Sequence, residues 1–362
     1  MPRTNSIDAL RAHIDRLDEK LLALLNQRAR LAVAIGQHKI QNRASIYTPD
    51  REKHIIRRLA AANQGPLKPE NIRHIFREIM SACLSLEKRL RIACLGPLGT
   101  FSHQAVREQF GSASEVIPVS SIAGAFEEVE RGRADYAVVP VENSTEGTVA
   151  ATLDRFVTSP LVIKAEAQLR IEQCLLARDG RAEDLQRIVS HPQSLGQCRQ
   201  WLSQHLPRLP LIEVASNAQA AITARDEAHV GAIAGRVCAE EYGLKILAAN
   251  IQDQKHNRTR FLVLGLDGIS KPSGDDKTSL LLALPHKAGA LHRVLKPFAD
   301  NDVSISTIES RPLKERAWEY LFFLDLVGHA EEPNVARALA AVKRRCLLLK
   351  VLGSYPAAPG PL

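Results

Sequence analysis

Residues 7–40 read IDALRAHIDRLDEKLLALLNQRARLAVAIGQHKI. Apolar side chains recur at Ile7, Leu10, Ile14, Leu17, Leu21, Leu24, Leu31 and Ile35, in steps of three and four with one gap of seven. A period near 3.5 held over this length predicts one long helix, N-capped by Ser6, with a seam that needs partner helices. The pattern breaks between Asn42 and Pro49. Pro49 can open a second helix, from about Asp50 to Ala62; Asn63–Pro66 ends it, and Pro69 opens a third to about Leu90. The first quarter of the chain therefore reads as all helical.

Arg28 fills the position that the seam skips. Such an arginine either snorkels to solvent or aims its guanidinium into the bundle to hold a carboxylate. Lys39 lies eleven residues on, near the same face, whereas Arg11 lies seventeen residues before Arg28. On a straight helix that places Arg11 about 25 Å from Arg28, beyond the reach of one small substrate. If both serve one site, Arg11 comes from a second chain, and the sequence points to a dimer with shared sites.

The 362 residues predict two to three domains. Apolar residues make 45% and charged residues 24%, which excludes a largely disordered chain. No apolar run is long enough to span a bilayer, and MPRTNSIDAL lacks the apolar core of a signal peptide, so a cytoplasmic protein is expected. Six scattered cysteines (83, 94, 174, 198, 238 and 346) without C-x-x-C suit reduced thiols, not a disulfide frame or a zinc site. The net charge of +8 lies wholly in residues 1–90, which hold 17 basic and 9 acidic residues. Nucleic acid, an acidic membrane surface or a small polyanion could each answer it.

From Arg91 the period changes. Short apolar runs (92–95, 136–141, 188–189, 211–214, 230–233 and 261–264) alternate with helical stretches, which predicts an α/β unit with a mainly parallel sheet in two blocks, 91–168 and 169–266. Polar loops close these runs: Gly96–Ser102, Glu142–Gly147, Ser190–Ser194, Ser216–Asn217 and His256–Phe261. Strand ends are where ligands sit in α/β folds. Gly268–Asp276 reads as a linker. A βαββαβ order follows, which is ferredoxin-like, and 356–362 reads as a frayed tail.

These segments carry three resemblances. The quoted helix with TPDREKHIIRRL resembles the all-helical chorismate mutases, which implies an intertwined helical dimer rearranging chorismate to prephenate. The resemblance assigns Arg11, Arg28 and Arg51 to substrate carboxylates, Lys39 to the ether oxygen and Glu52 to a substrate hydroxyl. Three positions depart from the family pattern: Thr48 for aspartate, Cys83 for serine and Glu87 for glutamine. Glu87 can donate to the ether oxygen only when protonated.

GPLGTFSHQAV, VPVENSTEGTV, SHPQSLGQC, SNAQAA and NRTRFLVLG resemble the prephenate dehydratases, whose two lobes are like those of periplasmic binding proteins. This implies conversion of prephenate to phenylpyruvate with loss of water and CO2, with Thr259 as the essential threonine. Glu142, Asn143, Ser144 and Arg260 are expected beside it, with Thr100, Ser102, Ser216 and Asn217 as looser candidates. No metal or organic cofactor is implied. The βαββαβ unit resembles the ACT domains, which implies an interchain phenylalanine site from Gly289, Ala290 and Leu291 with Glu309, Ser310, Arg311 and Pro312, and feedback inhibition.

The expected organisation is a mutase unit 1–90, a dehydratase unit 91–267 and a regulatory unit 278–355, in a homodimer or higher oligomer. Two other classes compete. A non-catalytic amino-acid sensor would not need Arg11, Arg28, Lys39 and Thr259. A nucleic-acid binder would want an aromatic platform, yet Tyr47 and Phe76 are the only aromatics before residue 91.

Overall fold

The computed structural model describes residues 6–42, 45–266, 268–312 and 320–358. Three helices come first: α1 (Ile7–Gln41), α2 (Pro49–Ala62) and α3 (Pro69–Glu87). Prolines open α2 and α3, where the missing N–H costs nothing. Every residue from Ser6 to Gln27 is exposed, the seam included: Leu21 is 56% exposed and Leu24 61%. Burial begins at Arg28, where α1 comes down on α3. The approach is closest at Gly36, where a Cβ would lie 2.7 Å from Glu87 Cγ.

The next unit has two lobes. Strands β1 (Arg91–Leu95), β2 (Glu115–Val119), β3 (Tyr136–Asn143), β4 (Gly147–Thr148) and β5 (Val162–Arg170) belong to the first lobe. The second holds β6 (Cys174–Ala177), β7 (Arg187–Ser190), β8 (Leu211–Glu213), β9 (Val230–Ala234) and β10 (Lys245–Ala248). The chain then returns to the first lobe as β11 (Arg258–Gly265), inserted between β3 and β5 in the order β2-β1-β3-β11-β5. The second sheet runs β10-β6-β9-β7-β8.

Three sequence expectations need correction here. Both sheets are mixed, not mainly parallel, because β11 pairs antiparallel with β3 and β5, and β6 pairs antiparallel with β9 and β10. The second block does not extend to residue 266, because β11 completes the first lobe's sheet. That strand also starts at Arg258, so the Thr-Arg of the NRTRF segment lies within the strand and not in a loop before it.

The last unit is the expected βαββαβ, with β12 (Asp276–Ala283), β13 (Ile305–Pro312), β14 (Tyr320–Val327) and β15 (Leu348–Pro356) in the order β13-β14-β12-β15. Its sheet shares one hydrophobic core with the first lobe: Leu281, Phe323, Leu352 and Tyr355 cluster with Val139, Phe156, Ile163 and Leu262. A Cβ on Gly353 would stand 2.9 Å from the backbone nitrogen of Ile163. The tail is not frayed through residue 358. Ala357 N–H donates to Asp275 O at 2.9 Å and Ala358 N–H to Glu166 Oε1 at 2.8 Å. Residues 359–362 lie outside the described ones. The helical unit is tied in as well, since Lys53 and Arg57 both pair with Asp275, at 2.9 and 2.7 Å.

Candidate active sites

A cavity of about 1220 Å³ opens where the helical unit meets the first lobe. It is lined by Arg28, Lys39, Thr48, Arg51, Glu52, Cys83 and Glu87, drawn from all three helices and the α1–α2 connection. Seven of the eight residues expected of a mutase site are thus brought to one wall. Arg11 is not among the lining residues. It projects from the exposed half of α1 and pairs only with Asp8, at 3.5 Å, among the described residues.

The electrostatics follow from burial. Lys39 Nζ donates to Ile46 O at 2.7 Å and stands 3.9 Å from Glu87 Oε2. The Glu87 side chain is only 8% exposed, and its Oε2 has no hydrogen-bond partner among the described residues. Burial pushes the Glu87 carboxyl above its ordinary range, against the pull of Lys39 and then Arg28. Glu52 is also raised by burial, with Arg77 as the main counterweight. Arg77 Nη1 donates to Glu52 Oε2 at 2.7 Å and to Gln109 O at 2.7 Å, so the Glu52 carboxylate is already engaged. Arg77 and Tyr47 are functional neighbours that the sequence reading passed over. Tyr47 is 1% exposed, packed on Phe110 and Tyr136 of the first lobe, with its hydroxyl accepting from Gln109.

The second group forms at the start of β11. Thr259 is opposite Asn143 in the β3–β11 ladder. Asn143 Nδ2 donates to Thr259 Oγ1 at 2.8 Å and to Asn257 Oδ1 at 3.0 Å. The amide orientation is fixed, because Asn143 Oδ1 accepts from the backbone N–H of Thr145 and Glu146, at 2.9 and 3.0 Å. Ser144 Oγ also donates to Asn257 Oδ1. Since Thr259 Oγ1 accepts from Asn143, its own O–H is left to donate elsewhere.

Glu142 and Arg260 are not part of this group. Successive strand residues point to opposite faces, so Arg260 and its ladder partner Glu142 face away from Thr259 and Asn143. Both line a small cavity of about 40 Å³ against the C-terminal sheet, shared with Thr307 and Glu309.

The looser candidates fall elsewhere. Thr100 Oγ1 donates to Leu95 O and accepts from His103 N–H, capping helix Phe101–Phe110. Ser102 is buried in that helix, beside buried His103, whose Nδ1 accepts from Gly99 N–H. Burial keeps His103 below its ordinary range. Ser216 caps helix Asn217–Asp226. Asn217 is the centre of a cluster on the second lobe, its Oδ1 accepting from Ser190 at 3.2 Å and Ser194 at 3.0 Å. Gln173, on the segment that crosses between lobes, donates to Ser194 Oγ. Asn257, Ser190 and Ser194 lay in polar loops noted in the sequence, but only folding shows which of their hydroxyls and amides converge.

In the C-terminal unit, Gly289 has φ +73° at the start of helix Ala290–Asp300, with Ala290 buried and Leu291 partly buried. Glu309, Ser310, Arg311 and Pro312 lie on edge strand β13, and Arg311 pairs with Asp154 of the first lobe at 3.2 Å. Among the described residues no helix is long and apolar enough to cross a membrane, and no group of three or more His, Cys, Asp or Glu is placed to hold a metal.

Comparison with known proteins covers nearly the whole chain. The family model for chorismate mutase type II matches residues 10–88, that for prephenate dehydratase 92–268, and that for the ACT domain 278–344. A bifunctional chorismate mutase/prephenate dehydratase from Aquifex aeolicus is 46% identical over 96% of this chain and 97% of its own length. A prephenate dehydratase from Arthrobacter aurescens, solved with L-Phe, superposes with a TM-score of 0.68 at 37% identity, over 74% of this chain and 90% of that one. A chain described as a quorum quenching acylase superposes with a TM-score of 0.69 at 31% identity, over 74% of this chain and 98% of that one.

Proposed function

The chain belongs to the bifunctional chorismate mutase/prephenate dehydratase family, and from that premise we propose that its two reactions run at the two side-chain groups just described. The protein rearranges chorismate to prephenate and converts prephenate to phenylpyruvate, with loss of water and CO2.

The rearrangement needs no nucleophile. The site must hold a compact dicarboxylate and stabilise charge developing on the breaking ether oxygen. Arg28 and Arg51 supply carboxylate partners from the cavity wall, and Lys39 supplies the cation at the oxygen. Burial raises the Glu87 carboxyl above its ordinary range, and in its protonated form Glu87 donates the second hydrogen bond. Arg11 completes the site from a second copy, whose α1 covers the exposed seam. The working unit is therefore a dimer or a larger homo-oligomer.

The dehydration is carried by one observation: Asn143 occupies the acceptor side of Thr259 Oγ1 and leaves its proton free for the departing hydroxyl. An accepted hydrogen bond also strengthens the bond that the same hydroxyl donates. Aromatisation of the ring drives the loss of CO2. Phenylalanine, bound at Gly289–Leu291 and Glu309–Pro312, holds the low-activity state by binding it more tightly. These are reactions of a cytoplasmic enzyme.

A time course on purified protein given chorismate alone tests the assignment. The parent forms phenylpyruvate; Thr259→Ala and the near-isosteric Asn143→Asp accumulate prephenate, the latter because an aspartate accepts the proton that threonine must donate. Phenylpyruvate formation at the parent rate in either variant overturns the role of this pair.

A further inference from the structure

The face of β11 opposite Thr259 holds an ion cluster between the first lobe and the C-terminal sheet. Arg260 Nε donates to Glu166 Oε2 at 2.7 Å, Nη1 to Asp325 Oδ2 at 2.6 Å and Nη2 to Tyr355 Oη at 3.0 Å. Lys277 Nζ reaches Glu166 Oε1 at 2.9 Å, so two cations face two carboxylates. The Glu166 side chain is fully buried, and those of Arg260 and Asp325 are each 11% exposed. Burying four charges adds little net stability, because desolvation offsets most of their attraction. What a forked, hydrogen-bonded arginine does supply is geometry.

That geometry converges on the neighbour of Thr259. On the β3 side the ladder has a bulge: Arg260 opposes Glu142, but Phe261 opposes Pro140. Bulges re-aim the side chains beside them. Thr259 thus sits one residue from a bulge, with Asn143 holding its hydroxyl on one face and the guanidinium of the next residue, Arg260, anchored on the other. Asp325 belongs to the C-terminal unit, on β14, whose ladder neighbour β13 carries Glu309 and Ser310.

We propose that Arg260 is a positioning residue for the dehydration. By locking β11 to the C-terminal sheet through Glu166 and Asp325, it sets the direction in which the Thr259 hydroxyl donates. The proposal rests on Thr259 being the proton donor.

The test uses the full chain and reads both activities. Asp325→Asn removes one anchor from the C-terminal side without touching either active site, and Arg260→Lys keeps the charge but loses the fork. A misplacement of the hydroxyl by about 1 Å predicts a dehydratase kcat lower by roughly 10- to 100-fold. KM for prephenate stays near the parent value, and so does the mutase rate, which reports that the chain is folded. Arg260→Met alone leaves Asp325 without its cation, so it is paired with Asp325→Asn, which keeps Glu166 balanced by Lys277; this charge-balanced double variant folds and shows the same kcat loss. A dehydratase kcat within about twofold of the parent in both Asp325→Asn and Arg260→Lys overturns the proposal. So does a rise in KM at constant kcat in Arg260→Lys, which assigns Arg260 to substrate binding instead. Full dehydratase activity in Thr259→Ala, run alongside, locates the failure in the role of Thr259 and not in the clamp.

Discussion

Tyr47 couples the mutase wall to a unit that performs a different reaction. It sits in the α1–α2 connection between Ile46, whose carbonyl accepts from Lys39 at 2.7 Å, and Thr48, which lines the cavity. Its ring is buried against Phe110 and Tyr136, at centroid distances of 4.8 and 5.3 Å, both residues belonging to the first lobe. Truncation to alanine removes a fully buried aromatic, which costs about 3–5 kcal/mol of packing. Tyr47→Phe keeps the ring and loses only the Gln109 contact, at a cost of about 1 kcal/mol. In Tyr47→Ala the connection loses its seat, and the carbonyl that orients Lys39 moves with it. A displacement near 1 Å at the ether oxygen predicts a mutase kcat/KM lower by roughly 100-fold in Tyr47→Ala, with Tyr47→Phe close to the parent. Chorismate disappearance measures the first reaction, and added prephenate measures the second on the same preparation. A folded Tyr47→Ala protein whose mutase kcat/KM stays within about twofold of the parent refutes the argument.

Glu87→Gln tests the buried acid. Burial raises the Glu87 carboxyl, so the parent mutase rate falls as pH rises through that raised value, and the glutamine variant loses this limb of the pH–rate profile. The same proton makes the folded parent lose stability over that rise, because the folded state binds it more tightly than the unfolded one; an unaltered profile in the variant sinks the role. Gly353→Ala forces a methyl to 2.9 Å from the backbone nitrogen of Ile163, which cannot yield as a side chain would. It should cost about 1–3 kcal/mol in denaturant unfolding; an unmoved midpoint means that the two sheets part easily. Leu24→Lys leaves the lone chain undisturbed, the leucine being 61% exposed, but buries a charge in a helical dimer. Sedimentation should show dissociation with loss of the mutase reaction, and parent-like mass and rate would refute the shared seam.

The long helix was legible because its apolar period repeats over many turns, and the break at Asn42–Pro49 because proline and polar residues punctuate it. Sheet order was not, since each strand's own pattern is the same whichever neighbours it finds. The return of β11 into the first lobe is a property of the whole chain path. Arg260 shows how one boundary decides a site. Read as a loop before the strand, Thr259 and Arg260 fall together; with the strand starting at Arg258, the two-residue alternation parts them. The polar Arg-Thr-Arg start hid that boundary. Tyr47 and Arg77 escaped notice because their partners Phe110, Tyr136 and Gln109 are distant in sequence. Asn143 was legible as a candidate, but its task, occupying the acceptor side of Thr259, appears only with Thr145 and Glu146 fixing its amide.

The common core of the first lobe and the C-terminal sheet bears on how this enzyme can be freed from its end product. Leu281, Phe323, Leu352 and Tyr355 complete the packing around Ile163 and Leu262. A chain cut after the second unit bares that apolar surface and strands Glu166 and Arg260 without Asp325 and Tyr355. Such a fragment is an aggregation hazard before it is a deregulated catalyst. With the phenylalanine site proposed along Glu309–Pro312, single replacements there would relieve inhibition while sparing the shared core, which deletion of the C-terminal unit does not.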